Sequence, residues 1–134
     1  MQIPSHCTMP NQTNPIQLVA HTLGRVAEDL TVRYLKKQGF KIMVRNYRYR
    51  RAEIDIIAQK SQLLIFVEVK ARRSDRFGNP ETFVGAKQQT LIRTAAEHYI
   101  ITHDWDYDIR FDIVAVCQQF NNQLKLTHFE DAFY

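Results

Sequence analysis

Cysteine, glycine and proline are scarce in this chain of 134 residues, which contains two, four and four of them. Cys7 and Cys117 lie far apart, so they offer neither a disulfide framework nor the ligand spacing of a zinc site. No segment has the roughly 18 consecutive apolar residues of a membrane-spanning helix. Residues 1–14 lack the basic start and apolar centre of a signal peptide. We therefore expect a cytoplasmic protein with no membrane segment.

Histidine is present but dispersed. The five histidines form no pair at metal-ligand spacing on one expected helix or strand. They are His6, His21, His98, His103 and His128. Any metal site in this chain would therefore have to be built from carboxylates.

The net charge of +4 is distributed unevenly. Residues 1–100 contain 16 basic and 8 acidic residues, whereas residues 101–134 contain 2 and 6. Several arginines stand beside Tyr47 and Tyr49, and guanidinium groups next to aromatic rings suit contacts with phosphates and bases. The candidates for nucleic-acid binding are Arg45, Arg48, Arg50, Arg51, Arg72 and Arg73. Charge alone leaves open a solvated basic surface with no partner.

Hydrophobic periodicity predicts seven secondary-structure elements in the order αβββαββ. One helix begins at Pro15 and ends before Gly39, and a second covers residues 84–102. Strands are predicted over residues 40–47, 52–59, 63–71, 110–117 and 123–129. We expect residues 1–14 to form a flexible tail and residues 15–134 to form a single domain. The order indicates an α/β (α+β) fold in which helices pack on a central sheet.

The second and third predicted strands contain charged residues inside otherwise apolar runs. These are Glu53, Asp55, Glu68 and Lys70. A hairpin centred between residues 61 and 62 would pair Asp55 with Glu68 and Glu53 with Lys70, with all four side chains on one face. Facing carboxylates repel each other unless a cation lies between them, and Mg²⁺ suits such a site.

Lys70 would complete a site for phosphodiester hydrolysis. Its ammonium group could act on an attacking water or stabilise negative charge that develops at the phosphate. The alternative is an amphipathic hairpin whose polar face is hydrated, with Lys70 bonded to Glu53 or Glu68. The charge pattern by itself does not decide between them.

Two short motifs on these strands resemble those of the YraN-like family of uncharacterised bacterial proteins. They are AEIDIIA at 52–58 and FVEVKAR at 66–72. The resemblance covers roughly residues 21–129 and includes Gly24, Glu28, Lys87 and the RFD sequence at 110–112. That family belongs by similarity to the PD-(D/E)XK nuclease superfamily. The resemblance implies a restriction-endonuclease-like core with a central mixed sheet, as in archaeal Holliday-junction resolvases.

The resemblance also implies roles for individual residues. Asp55 and Glu68 would be ligands of Mg²⁺ or Mn²⁺, and Lys70 would be the catalytic lysine. Glu28 would complete the site or else only pair with a nearby arginine. Lys87 would contact phosphate, or else would merely be solvated.

Asp112 would belong to the site, or else would orient a neighbouring strand or basic side chain. The family usually has glycine where this chain has Ala52, and we expect the additional methyl group to restrict the close approach of DNA or of a bulged backbone.

The resulting hypothesis is a metal-dependent endonuclease that binds DNA, of branched or otherwise structured form, and cleaves it by hydrolysis of a phosphodiester. A homodimer is expected by analogy with junction resolvases. One alternative is a non-catalytic nucleic-acid-binding module that uses the same basic residues. Another is an interaction protein that docks a partner through its acidic C-terminal segment and has no affinity for nucleic acid.

Overall fold

A computed structural model of the chain describes residues 15–73 and 84–134. The predicted tail over residues 1–14 lies outside the described residues. Within them the elements follow the predicted order. They are α1 (Pro15–Lys37), β1 (Lys41–Tyr49), β2 (Ala52–Lys60), β3 (Leu63–Arg72), α2 (Ala86–Thr102), β4 (Asp108–Gln118) and β5 (Leu124–Phe133). None of the helices in the described part of the chain is long and apolar enough to cross a membrane.

Helix α1 ends where the sequence predicts. Gly39 has a φ of 96°, a left-handed conformation that glycine adopts without steric penalty. The Gly39 N–H donates to the Lys36 carbonyl, and the Phe40 N–H donates to the Leu35 carbonyl. These bonds satisfy carbonyls that the end of a helix would otherwise leave unpaired, and they turn the chain directly into β1.

The five strands form one mixed sheet in the order β1-β2-β3-β4-β5. Neighbouring strands are antiparallel except for β3 and β4, which are parallel. A parallel pair needs a crossover connection, and α2 lies within it. The predicted α+β architecture is therefore confirmed, and it is that of a restriction-endonuclease-like core.

The two helices pack on opposite faces of the sheet. Tyr99 of α2 shares a buried apolar cluster with Phe66, whereas Leu35 of α1 shares the other cluster with Val67. Because successive side chains of a strand point to opposite faces, consecutive β3 residues alternate between the α2 face and the α1 face.

Candidate functional site

Strands β2 and β3 form the predicted hairpin. Their register runs from the pair Lys60–Leu63 to the pair Ile56–Val67, as a turn centred between residues 61 and 62 requires. The next pair in this register would be Asp55 and Glu68. At this position a side chain replaces the backbone partner, because the Val69 N–H donates to the Asp55 carboxylate at 2.8 Å.

The Asp55 carboxyl group is in an unfavourable electrostatic environment. Burial, a hydrogen bond with Glu68 and the negative charge of Glu68 together raise the pKa of Asp55 to about 8. The Val69 N–H opposes this shift without cancelling it. Glu68 is itself buried, with a side chain only 8% exposed. A half-buried and a buried carboxyl group that interact in this way hold a proton between them or require a cation.

The four charged residues do not share one face of the sheet, so that prediction is wrong. Glu53 and Asp55 line a cavity beside α1, whereas Glu68 and Lys70 reach α2. Glu53 forms an ion pair with Arg48 at 2.8 Å and not with Lys70.

The cause of this arrangement is a break in strand alternation at Asp55. Ile54 packs in the α2 cluster and Ile56 in the α1 cluster, although two residues apart on a regular strand share a face. On the neighbouring strand, Asn46 has a positive φ of 55°. The local distortion of both strands turns the Asp55 side chain toward the gap between β2 and β3.

The cavity beside α1 has a volume of about 590 Å³ and is open to solvent. Glu28 of α1 lines it together with Asp55. Burial and the nearby charge of Asp55 raise the pKa of Glu28, while hydrogen bonding to Arg45 opposes the shift. A Cβ atom placed on Gly24 would meet no atom within 4 Å, so the cavity wall leaves room there. Glu28 therefore both faces Asp55 and pairs with an arginine.

Lys70 lies on the other side of the carboxylate pair. Its Nζ is 3.4 Å from Glu68 Oε2 and donates to Gln88 Oε1 at 3.5 Å. The Nε2 group of Gln88 donates to Glu68 Oε2. Sequence reasoning missed Gln88, because a glutamine near the start of an expected helix has no feature that separates it from a solvated residue.

The two carboxylates are too few for a metal held only by protein ligands, but they are enough for a magnesium ion. The part of the chain that the structure describes contains no group of three or more His, Cys, Asp or Glu residues that could hold a metal. Mg²⁺, however, commonly binds through one or two carboxylates and takes its other ligands from water and substrate phosphate. Asp55 and Glu68 meet that requirement, and the pKa of Asp55 indicates that positive charge is favoured there.

Most of the candidate nucleic-acid-binding residues gather at the same end of the sheet as Asp55. Because β2 and β3 are antiparallel, the β1–β2 connection and the end of β3 lie together. That end has the exposed residues Arg50, Arg51, Arg72 and Arg73, and Lys87 in the first turn of α2. Arg48 is also exposed there, with 79% of its side chain accessible.

Arg45 has a different environment. Its guanidinium group lies 2.8 Å from Asp29 and 3.4 Å from Glu28. Hydrogen bonding to Asp29 is the main cause of its raised pKa. A phosphate would therefore have to compete with two carboxylates for this side chain.

Asp112 acts as a structural anchor. It is fully buried and accepts hydrogen bonds from Nε and Nη2 of Arg110, from His128 Nε2 and from the Asp131 N–H. Burial would raise its pKa, but the bonds from His128, Arg110 and the backbone outweigh burial and lower it. His128 continues the network to the hydroxyl of Tyr34 on α1. Of the two alternatives for Asp112, the structure shows that it orients a basic side chain and a neighbouring strand, since its oxygens already have protein partners.

Ala52 does not face the basic residues. Its side chain is buried, 3% exposed, in the apolar cluster that includes α2. The expectation that its methyl group restricts the approach of DNA is therefore wrong, because that group packs inside the protein.

The model of a protein family described as the uncharacterised protein family UPF0102 matches residues 27–116. The chain belongs to this family. It is 47% identical over 112 residues to a UPF0102 protein of Flavobacterium psychrophilum, with 84% of this chain and 93% of the relative covered. A UPF0102 protein of Alkaliphilus oremlandii is 40% identical, with 83% and 97% covered. One from Dictyoglomus thermophilum is 47% identical, with 70% and 80% covered.

The UPF0102 match confirms the resemblance to the YraN-like family. The matched range contains Glu28, Asp55, Glu68, Lys70 and Gln88, so the whole carboxylate site lies within the family segment. His128 lies outside that range, although its partner Asp112 lies inside it.

Proposed function

We propose that this UPF0102 protein is a metal-dependent endonuclease that hydrolyses phosphodiester bonds of DNA. The observation that carries the proposal is the interaction of the half-buried Asp55 carboxyl group with the buried Glu68, together with Lys70 Nζ 3.4 Å from Glu68 Oε2. Two acceptors for a hard cation and one protonated amine at a single position suit the hydrolysis of a phosphate ester.

Asp55 and Glu68 would hold the cation, Mg²⁺ or Mn²⁺, with Glu28 facing it across the cavity. When bound, the cation supplies positive charge that stabilises the phosphate as negative charge builds up on it. The raised pKa of Asp55 supports this assignment, because a partly desolvated carboxyl group next to a second one is stabilised in its charged form by a cation.

The protein's own cations would position the substrate. Lys70 would donate a hydrogen bond to the attacking water or to the oxygens of the phosphate in the transition state. Arg50, Arg51 and Lys87 would contact backbone phosphates on either side of the scissile bond. The first turn of α2 contains no acidic residue, and Gly85 at its N-cap makes no side-chain cap bond, so the positive end of the helix dipole favours an anion there.

The form of the DNA is proposed from the resemblance to junction resolvases, which favours a branched or structured substrate. A homodimer is proposed on the same basis, and sedimentation analysis of the protein with and without DNA would test it. Neither proposal depends on the geometry of the carboxylate site.

The deciding experiment incubates the protein with branched, single-stranded and duplex DNA in Mg²⁺, in Mn²⁺ and in chelator. We expect cleavage only with metal, and none by Glu68→Gln. Arg93→Ala is a control, since Arg93 bonds to the Tyr134 carbonyl and to Thr90. Binding without cleavage under all conditions would favour a nucleic-acid-binding module. No binding to any DNA would favour the interaction protein.

A further inference from the structure

Gln88 forms hydrogen bonds with two residues of the proposed site, Glu68 and Lys70. It lies near the start of α2, whereas Glu68 and Lys70 lie on β3. Its Nε2 donates to Glu68 Oε2, and its Oε1 accepts from Lys70 Nζ. All three side chains are at least partly buried, and those of Glu68 and Lys70 are 8% and 20% exposed.

The orientation of this amide is determined by its partners. A carboxylate can only accept hydrogen bonds, and an ammonium group can only donate them. The NH₂ group of Gln88 must therefore face Glu68, and its carbonyl oxygen must face Lys70. An alanine could make neither bond, and a charged residue could make only one of them.

We infer that Gln88 is a positioning residue for the reaction proposed above, on which this inference rests. By binding Oε2 of Glu68, Gln88 leaves Oε1 for the cation shared with Asp55. By accepting from Lys70, it holds the ammonium group beside Glu68, whose Oε2 lies 3.4 Å from Nζ. Partners of metal-binding side chains commonly set their orientation in this way.

Helix α2 is suited to this task because it is fixed to the sheet. Ile92 and Tyr99, farther along the same helix, are buried in the apolar cluster with Phe66 of β3. The position of Gln88 relative to β3 is therefore set by core packing and not by the hydrogen bonds alone. Such a side chain can orient flexible partners at little cost in conformational entropy.

Gln88→Met tests the inference, because it keeps the length and volume of the side chain and removes both hydrogen-bonding groups. The control is Gln89→Met, which removes a neighbouring amide bonded to the Val84 carbonyl at 2.9 Å. The first measurement is calorimetric titration of Mn²⁺ into protein without DNA. We expect Gln88→Met to weaken Mn²⁺ binding roughly 10- to 100-fold, and Gln89→Met to leave it unchanged.

The second measurement is single-turnover cleavage at saturating Mn²⁺ together with DNA affinity. We expect Gln88→Met to slow cleavage about 10- to 100-fold with unchanged DNA affinity, because Lys70 loses its acceptor. If Gln88→Met does not fold, Gln88→Asn takes its place, since its shorter amide cannot span the two partners. The same losses are expected.

The results separate this inference from the proposed function. Wild-type protein that binds Mn²⁺ and cuts DNA, with a Gln88→Met variant equal to it in both, would overturn the positioning role alone. Equal losses in the Gln88 and Gln89 variants would also overturn it, since they would indicate a general effect at the start of α2. Wild-type protein that binds no Mn²⁺ and cuts no DNA would overturn both. If it binds Mn²⁺ without cutting, the titration decides for Gln88.

Discussion

At the scale of single residues, the site is defined by Asp55, whose negative charge the surrounding protein does not stabilise. The Val69 N–H donates to Asp55, while burial and the neighbouring Glu68 make its charged form costly. Asp112 is fully buried, yet a histidine, an arginine and a backbone N–H lower its pKa. The contrast separates the two aspartates. Asp112 is fully paired within the protein, whereas Asp55 is the carboxylate that the proposed cation would stabilise.

The raised pKa of Asp55 makes the metal-free protein sensitive to alkaline pH. Its folded-state pKa of about 8 exceeds the ordinary value of 3.8, so the folded protein holds an extra proton between these limits. The resulting contribution to stability is complete below about pH 4 and is lost as pH rises through 8. We expect the melting temperature of metal-free wild type to fall between pH 5.5 and 8.5 by roughly 5 °C more than that of Asp55→Asn.

Calorimetry in chelator at several pH values measures this difference, with Glu97→Gln as the control, because Glu97 is an exposed residue of α2. Asp55→Asn should also lose Mn²⁺ binding, whereas in wild type Mn²⁺ should bind more tightly as pH rises toward 8. Identical melting profiles for wild type and Asp55→Asn would contradict the assignment.

Lys70 should separate chemistry from binding. In Lys70→Ala we expect cleavage to fall about 10²- to 10³-fold, because one preorganised group that stabilises developing charge is removed. DNA affinity should change little, since the proposed phosphate contacts come mostly from exposed arginines. Single-turnover rates and fluorescence anisotropy measure the two quantities, and exposed Lys125 of β5 supplies the control Lys125→Ala. A near wild-type rate in Lys70→Ala would remove the lysine from the mechanism.

Some of the site could be predicted from the sequence, and the reason is local. The two-residue connection between Lys60 and Leu63 sets the hairpin register, which brings Asp55 opposite Glu68. The face of each side chain could not be derived, because the break in alternation at Asp55 accompanies a positive φ at Asn46 that no strand pattern reveals. Gln88 could not be found either, since its role depends on where α2 packs.

At the scale of elements, the predicted order was confirmed because the elements have strong local signals in the sequence. Gly39 ends α1, and apolar runs with β-branched residues define the strands. Strand β5 extends to Phe133, farther than the predicted end at 129. The acidic residues Glu130 and Asp131 obscure this extension in the sequence, but the Asp131 N–H binds Asp112. A long-range hydrogen bond therefore sets a boundary that composition does not.

The Asp112 network should be a main determinant of stability, because it joins β4 to β5 and, through His128, to Tyr34 of α1. We expect Asp112→Ala to lower the free energy of unfolding by about 3 to 5 kcal/mol, since it leaves Arg110 and His128 without their buried partner. Urea denaturation measures the loss, and the exposed Asp108→Ala should change stability by less than about 0.5 kcal/mol. A small effect of Asp112→Ala would mean that water replaces the carboxylate.

At the scale of the whole molecule, the exposed basic residues and the carboxylate site lie at the same end of the sheet. The β1–β2 connection, the end of β3 and the start of α2 bring separate basic segments beside the carboxylates. The sequence predicted the basic residues but not that Arg45 is bound by Glu28 and Asp29. Under the proposed function, this concentration of positive charge would attract a polyanion whose phosphates the carboxylates would otherwise repel.

The proposed DNA-binding surface can be tested through its salt dependence. Each basic side chain that neutralises a phosphate releases counter-ions, which gives a slope of about −0.9 per contact in a plot of log affinity against log salt on duplex DNA. We expect replacement of Arg48, Arg50 and Arg51 by alanine to weaken binding and to make this slope shallower by up to about 3. The matched control replaces Arg33, Lys36 and Lys37, three exposed basic residues of α1, and removes the same charge elsewhere. Equal slopes for the two triple variants would show that net charge, and not this surface, determines binding.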